Sequence, residues 1–312
     1  METTFQMTPF VKWAGGKGQL VDKLLARVPK QFNRYYEPFV GGGALLLALA
    51  PKKATINDSN EQLINVFNQL QRNIEGVMTV IRELDSIECD KDRYYAIREQ
   101  YNKKISAGEL DEECAGLMIW MNKHCFNGLY RVNRKGLFNV PYNNKKTGHS
   151  FDDALRRCKE KCSFHWESNY NVYLKHGDAR KLDFIPNEKI DLICTHPPYA
   201  NMVKYSCGLR DDLSQLEVPE FLEQMKLVAA ECYRVLKPGH YCAILMGDLR
   251  RSGFIVDLSF QVMQVFLDAG FRLRETIIKQ QHNCKHTEKW RDVSVQRNFL
   301  LVAHEYLFVF KK

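Results

Sequence analysis

The stretch Thr195-His196-Pro197-Pro198-Tyr199 constrains this chain more than any other. It follows Ile190-Asp191-Leu192-Ile193-Cys194, an apolar run that reads as a short buried strand. Two consecutive prolines cannot continue a hydrogen-bonded ladder, so the backbone must leave the sheet here in an extended bend. An aromatic ring then stands at the carboxyl edge of a strand, the edge at which open α/β sheets bind ligands. The expected fold is therefore an α/β sheet with a crevice beside Tyr199.

The amino-terminal half supplies a second element of the same kind. Phe10-Val11-Lys12-Trp13-Ala14-Gly15-Gly16-Lys17 sets an apolar pair, a Trp and two glycines between lysines. Leu20, Leu24, Leu25 and Val28 then recur at helical spacing. Tyr35-Tyr36-Glu37-Pro38-Phe39-Val40-Gly41-Gly42-Gly43 precedes an apolar helix over 44–49, giving strand, glycine turn and helix start. Glycines let a backbone approach a ligand closely, and a helix amino terminus favours polar groups such as a carboxylate. The next strand, Ala54-Thr55-Ile56-Asn57-Asp58, ends in an acid at about the spacing from a glycine turn at which a carboxylate reaches ribose hydroxyls.

These motifs together carry a resemblance. Lys12 to Lys17, Glu37 to Gly43 and Asn57-Asp58-Ser59-Asn60 resemble the Dam-type (D12 class) DNA adenine-N6 methyltransferases over roughly residues 8–147. The resemblance implies S-adenosyl-L-methionine as cofactor. Trp13 and Lys17 would line its pocket, Phe39 and Gly41 would pass beside it, and Asp58 would bind its ribose. The Pro-Pro-Tyr loop resembles that of the broader N4/N6 amino-methyltransferases, in which Thr-His-Pro-Pro-Tyr occurs, although His196 stands where Dam enzymes carry Asp. His196, Pro197, Pro198 and Tyr199 would be catalytic. Asp178, after the expected strand at 172–176, matches an acid that holds the cofactor's adenine amine in related enzymes; a capping or salt-bridging Asp is the competing reading.

Residues 61–125 read as successive amphipathic helices with charged outer faces. The following stretch to Tyr142 alternates basic residues, asparagines and exposed-looking aromatics around Gly128 and Gly136, as a hairpin touching nucleic acid would. It resembles the family's target-recognition segment, whose usual site is GATC. On that match Arg131 would read guanine, Leu129 and Pro141 would pack on bases, Phe126 would fill the space beside a displaced adenine, and Asn127 and Lys12 would also contact DNA.

The carboxyl half is read as a helix over 150–162, a helix from Phe221 to Leu236 stopped by Lys237-Pro238-Gly239, a strand at 241–246, a helix at 262–267 and a closing hairpin of 271–278 with 299–310. Lys279, Lys285, His286, Lys289, Trp290, Arg291 and Arg297 form a basic stretch, either a solvated loop or a set of phosphate contacts.

The whole is expected to be an α/β S-adenosylmethionine-dependent methyltransferase (Rossmann-like) fold with a mixed central sheet. Residues 1–65 and 150–312 form the catalytic domain, and 66–149 an inserted, mostly helical target-recognition module with a DNA-contacting hairpin near 122–142. The expected activity is methyl transfer to adenine N6 in duplex DNA at GATC or a related site, by base flipping. N4-cytosine methylation uses the same loop and cofactor, and an impaired DNA-binding homologue is the reading from another class. A cognate restriction endonuclease acting on the same site is a further partner that stays open. The net charge of +8 favours a polyanionic partner. No apolar run spans a bilayer and the start lacks a signal-peptide pattern, so the expected compartment is the cytoplasm. Ten cysteines without a Cys-x-x-Cys read as free thiols. Cys158, Cys162 and His165, and His282, Cys284 and His286, lack standard zinc spacing, and no metal is expected.

Overall fold

The computed structural model describes residues 9–13, 21–144, 171–202, 212–280 and 287–312. Strand β1 (Tyr35–Glu37) pairs in parallel with both β2 (Lys53–Asp58) and β4 (Ile190–Thr195). β2 carries β3 (Asn171–His176) on its far side and β4 carries β5 (Leu236–Met246), again in parallel. β6 (Leu249–Arg251) and β7 (Phe254–Val256) form a small separate hairpin. β8 (Arg272–Gln280) and β9 (His304–Lys311) close the main sheet in antiparallel fashion, so its seven strands run β3-β2-β1-β4-β5-β9-β8. The first strand in sequence thus lies mid-sheet beside the fourth, where the direction of winding reverses and a crevice opens at the carboxyl ends.

The central strands β1 and β4 are buried on both faces because helices cover both, whereas the edge strands β3 and β8 are largely exposed. Neighbouring residues alternate between two buried clusters: Tyr35, Leu192 and Cys194 face one, Tyr36 and Ile193 the other. The first cluster continues into α3 (Glu61–Arg72), α4 (Ile74–Asp85), α5 (Lys91–Ala107) and α6 (Glu112–His124) through Phe67, Val77, Tyr94 and Trp120. The second takes in α7 (Val218–Val235) and α8 (Leu258–Asp268) through Phe221, Val228, Val262 and Phe266. Short α1 (Val21–Leu25) and α2 (Ala44–Leu49) flank the glycine turn, and α9 (Thr287–Gln296) precedes β9. Each helix from α3 to α6 starts at an Asn or Asp whose side chain accepts the backbone N–H three residues on: Asn60, Asn73, Asp90 and Asp111. Each such cap is worth about 1 kcal/mol and explains why four helices follow one another with short joints. α3 runs unbroken through residues 65 and 66, and its buried side chains belong to the same cluster as the sheet.

Three local readings change. Lys237-Pro238-Gly239 lies inside β5 rather than after a helix end; the helix stops at Val235, and a register shift between Ile190 and Leu192 accommodates the proline that cannot donate to the ladder. The last strand starts at His304, not at 299. The hairpin near 122–142 is a loop pinned by two isolated antiparallel bridges, Cys125 to Tyr142 and Val132 to Phe138, with α6 running into it as far as His124. Its aromatics are mostly core: Tyr130 and Phe138 are 8% and 3% exposed, because the backbone alternates and sends Arg131 and Pro141 outward. The expected helix at 150–162, both cysteine–histidine clusters, Lys17, Lys285 and His286 lie outside the described residues. Among the described residues, no group of three His, Cys, Asp or Glu could hold a metal ion, and no helix is long and apolar enough to cross a membrane.

Candidate active site

Parallel pairing brings the glycine turn after β1, Asp58 at the end of β2, Asp178 after β3 and the Pro-Pro-Tyr loop after β4 to one edge of the sheet. Gly41 has φ +52°, and a Cβ there would come within 3.0 Å of the Trp13 ring. Only a glycine backbone fits between that indole and the turn, which is the bare-backbone cradle a nucleotide-like ligand needs. Trp13 itself stacks on Tyr130, with ring centroids 5.4 Å apart. Phe39 is half-buried beside the second cluster.

Asp58 is 8% exposed, and its two oxygens accept from the amides of Gly41 at 3.1 Å and Asn60 at 3.0 Å. Burial pushes its carboxyl above the usual aspartate range, and the two amide bonds offset that only in part. A buried acid held against a glycine turn is a feature that costs stability and fits a hydroxyl-bearing ligand. Asn57 braces the same corner by donating to the carbonyls of Pro38 at 3.1 Å and Gly177 at 3.0 Å. Asp178 is engaged by Arg180, whose Nε lies 2.9 and 2.8 Å from its two oxygens. The geometry therefore records the salt-bridging form of Asp178.

In the Pro-Pro-Tyr loop, Pro197 is buried while His196, Pro198 and Tyr199 are half-buried. The loop ends at Ala200 with φ +44°, a left-handed conformation that a non-glycine residue adopts only under local constraint. His196 Nε2 lies 2.7 Å from the Tyr199 hydroxyl, which donates to Glu305 Oε1 at 2.8 Å. Glu305 Oε2 in turn holds Lys279 Nζ at 2.5 Å, both side chains being about nine-tenths buried. A Cβ on Gly247, just past β5, would meet the Tyr199 ring at 2.7 Å. Lys279 is thus an interior ion-pair partner on β8, not a phosphate contact in a basic loop.

The residues expected to contact DNA lie at the surface. Lys12, Phe126, Asn127, Arg131 and Pro141 are exposed and Leu129 is half-exposed. Asn127 sits in the left-handed region at φ 59°, and the Phe126 amide donates to the Pro141 carbonyl at 2.8 Å. Arg131 Nε donates to Asn139 Oδ1 at 2.8 Å, which holds the guanidinium on the surface. The loop is fixed from behind by α5: Tyr94 donates to the Val140 carbonyl, and Asn102 makes hydrogen bonds to both the carbonyl and the amide of Phe138. Asn122 ties this loop to the amino-terminal segment, accepting from the Lys12 amide at 2.7 Å and donating to the carbonyls of Lys12 at 3.0 Å and Gly128 at 2.9 Å.

Glu305, Lys279, Gly247 and Asn122 carry no signal of their own in the sequence. The clue to the ion pair was the register of the closing hairpin, which sets Lys279 opposite Glu305.

This sheet order, with its glycine turn, buried acid and Pro-Pro-Tyr loop on one edge, defines an S-adenosylmethionine-dependent methyltransferase of the amino-methylating kind. The chain belongs to the family of D12 class N6 adenine-specific DNA methyltransferases, whose profile matches residues 13–237. A DNA methylase profile for N6 and N4 enzymes matches residues 190–312. The D12 match extends well past residue 147, and the two overlap across the Pro-Pro-Tyr loop and α7. The type II methyltransferase M.MjaIII of Methanocaldococcus jannaschii is 31% identical over 299 residues, covering 90% of this chain and 94% of that protein. The type II methyltransferase M1.LlaDCHI of Lactococcus lactis is 36% identical over 62% of this chain and 66% of that protein. A DNA adenine methylase of Haemophilus influenzae is 34% identical over 62% of this chain and 64% of that protein. The protein is accordingly an adenine-specific DNA methyltransferase with S-adenosylmethionine as its cofactor.

Proposed function

We propose that the chain methylates adenine N6 at GATC or a close variant of it in duplex DNA, in the cytoplasm, after flipping the adenine out of the helix. The observation that carries this reading is the surface on which Lys12, Phe126, Asn127, Leu129, Arg131 and Pro141 meet, joined through Asn122 to the segment that enters the cofactor cradle. Residues 66–149 serve as the target-recognition module. Arg131 reads guanine, a contact worth about 1–3 kcal/mol of discrimination. Phe126, 45% exposed at the rim, fills the gap left by the extruded base.

Bound S-adenosylmethionine supplies an electrophilic methyl group on a sulfonium. Asp58, Gly41, Trp13 and Phe39 would hold it, together with Lys17, and Asp178 would bind its adenine amine. Adenine N6 is nearly non-basic because its lone pair is conjugated with the ring, and it cannot reach the methyl while stacked, so flipping costs a few kcal/mol. Tyr199 stacks on the flipped base. The Pro197 carbonyl and His196 accept the two amine hydrogens, turning the lone pair toward the methyl. Alignment of two bound reactants supplies much of the barrier lowering.

The type II names of two relatives make a cognate restriction endonuclease with the same site the partner to seek. Methylation mapping of DNA from cells expressing the chain tests the proposal. N6-methyladenine within GATC-like sites is expected, and Arg131→Ala should relax the preference while leaving salt-dependent non-specific binding intact. Modification at an unrelated motif, or at cytosine N4, would overturn it.

A further inference from the structure

We propose that Glu305, ion-paired with Lys279, is a positioning residue that fixes the tautomer of His196 through the Tyr199 hydroxyl, leaving Nδ1 as the nitrogen that accepts the target amine. The proposal rests on the reading of His196 as the amine acceptor and adds the group that prepares it.

The argument follows the protons along one hydrogen-bonded chain. Lys279 and Glu305 are direct cross-strand partners on β8 and β9, with Nζ to Oε2 at 2.5 Å. An ammonium donates only, so the carboxylate facing it is the acceptor. Glu305 Oε1 lies 2.8 Å from the Tyr199 hydroxyl, and a phenol has a single proton to give. With that proton directed at the carboxylate, the phenol oxygen offers His196 Nε2, 2.7 Å away, nothing but a lone pair. Nε2 must then carry a proton, and in the neutral imidazole Nδ1 carries the lone pair. The reverse arrangement, with Tyr199 donating to Nε2, requires a protonated Glu305 beside the Lys279 ammonium. Burial raises the Glu305 carboxyl, but the hydrogen bond and charge of Lys279, with help from His196 and Tyr199, outweigh it and hold the group below the usual glutamate range.

A carboxylate at position 196 has acceptor oxygens in any orientation. An imidazole accepts through one nitrogen in one tautomer, so substituting His for Asp in this loop creates a need for something that selects the tautomer. Glu305 meets that need from the far hairpin, as the buried acid of a hydrolytic triad orients its histidine.

The test uses the full chain labelled with 15N in its histidine rings, with the His196 signals identified by comparison with His196→Gln. Above the titration range of His196, wild type should show a protonated Nε2 and an unprotonated Nδ1. The double variant Lys279→Met/Glu305→Leu exchanges a buried ion pair for apolar side chains, a change buried sites commonly tolerate. It should give a mixture of tautomers and lose about tenfold or more in turnover, with S-adenosylmethionine binding unchanged as the control for folding. Tyr199→Phe keeps the ring but cuts the chain of hydrogen bonds, and should produce the same mixture. A wild-type ring protonated on Nδ1, or an unshifted tautomer in both variants, would refute the hydrogen-bond chain. A shifted tautomer with unchanged turnover would refute the amine-acceptor role of His196, and with it any positioning role for Glu305.

Discussion

Gly247 offers the sharpest single-atom test of the site. It lies immediately beyond β5, and a methyl group there would sit 2.7 Å from Tyr199 Cε2, 3.3 Å from Cζ and 3.4 Å from Glu305 Cγ. Comfortable carbon contacts begin near about 3.5 Å, so Gly247→Ala demands a displacement of roughly 0.8 Å. β5 is hydrogen-bonded on both sides and Glu305 is anchored by Lys279, so most of that displacement falls on the half-buried Tyr199 ring. Overpacking of this kind costs about 1–3 kcal/mol in stability. The catalytic cost is larger, since a shift of about 1 Å in an aligned group can remove about a hundredfold in rate. Single-turnover methylation of a duplex containing the mapped site, with saturating S-adenosylmethionine, measures it directly. Loss of about 30- to 100-fold is expected, with cofactor affinity unchanged. A Gly247→Ala/Tyr199→Ala double variant should be no slower than Tyr199→Ala, because the added methyl then meets empty space. Wild-type rates in a folded Gly247→Ala protein, or full additivity of the two changes, would refute the idea that the ring's position limits the reaction.

Asp58→Ala should weaken S-adenosylmethionine binding by about 1–3 kcal/mol, read by calorimetry. The same carboxyl is raised in the folded chain, chiefly by burial, so the fold binds that proton more tightly than the unfolded chain and its stability contribution falls as pH rises above the ordinary aspartate range. His196→Ala should abolish turnover almost completely, while His196→Asp should retain part of it. In wild type, activity should decline as pH drops through the range in which His196 takes a second proton. Glu305 stays ionised there because its carboxyl is held low, so the acid limb should vanish in His196→Asp. Asp191→Asn tests stability alone. The Asp191 carboxylate accepts from the Arg34 amide at 2.7 Å and Lys237 at 2.6 Å, and these outweigh burial to hold it below the usual aspartate range. The variant should lose about 1–2 kcal/mol in urea unfolding, since Lys237 is still a third exposed; the wild-type advantage is fully present above the ordinary aspartate value near ~3.9 and fades as pH falls through the lowered one.

What the sequence made legible was local. A strand followed by glycines, by an acid or by Pro-Pro-Tyr is written within ten residues, and parallel pairing then carries each motif to the same edge. Pairings between distant segments were not legible. Lys279 lies 26 residues from Glu305, and beside Lys285, Lys289 and Arg291 it reads as one more basic residue; only the hairpin register turns it inward. Asn122 reaches Lys12 across 110 residues, and as an Asn at a helix end it looks like any surface amide. Tyr130 and Phe138 misled for the opposite reason: an aromatic between basic residues fits a nucleic-acid surface and an alternating loop packed on α5 equally well. Arg131 and Pro141 do face outward, so the same alternation that buried the rings exposed the residues carried by resemblance.

Asn122 also has a thermodynamic consequence. One amide grips both backbone groups of Lys12 and the carbonyl of Gly128, and Gly128 has no room for a side chain because a Cβ would meet Lys12 at 2.6 Å. The residue after Lys12 is Trp13, beside the glycine turn; two residues before Gly128 is Phe126, exposed and proposed to contact DNA. Any ordering of one segment by its ligand therefore lowers the entropy left for the other to lose, and linkage makes the effect reciprocal. Whatever factor S-adenosylmethionine adds to DNA affinity, DNA must add to the affinity for S-adenosylmethionine.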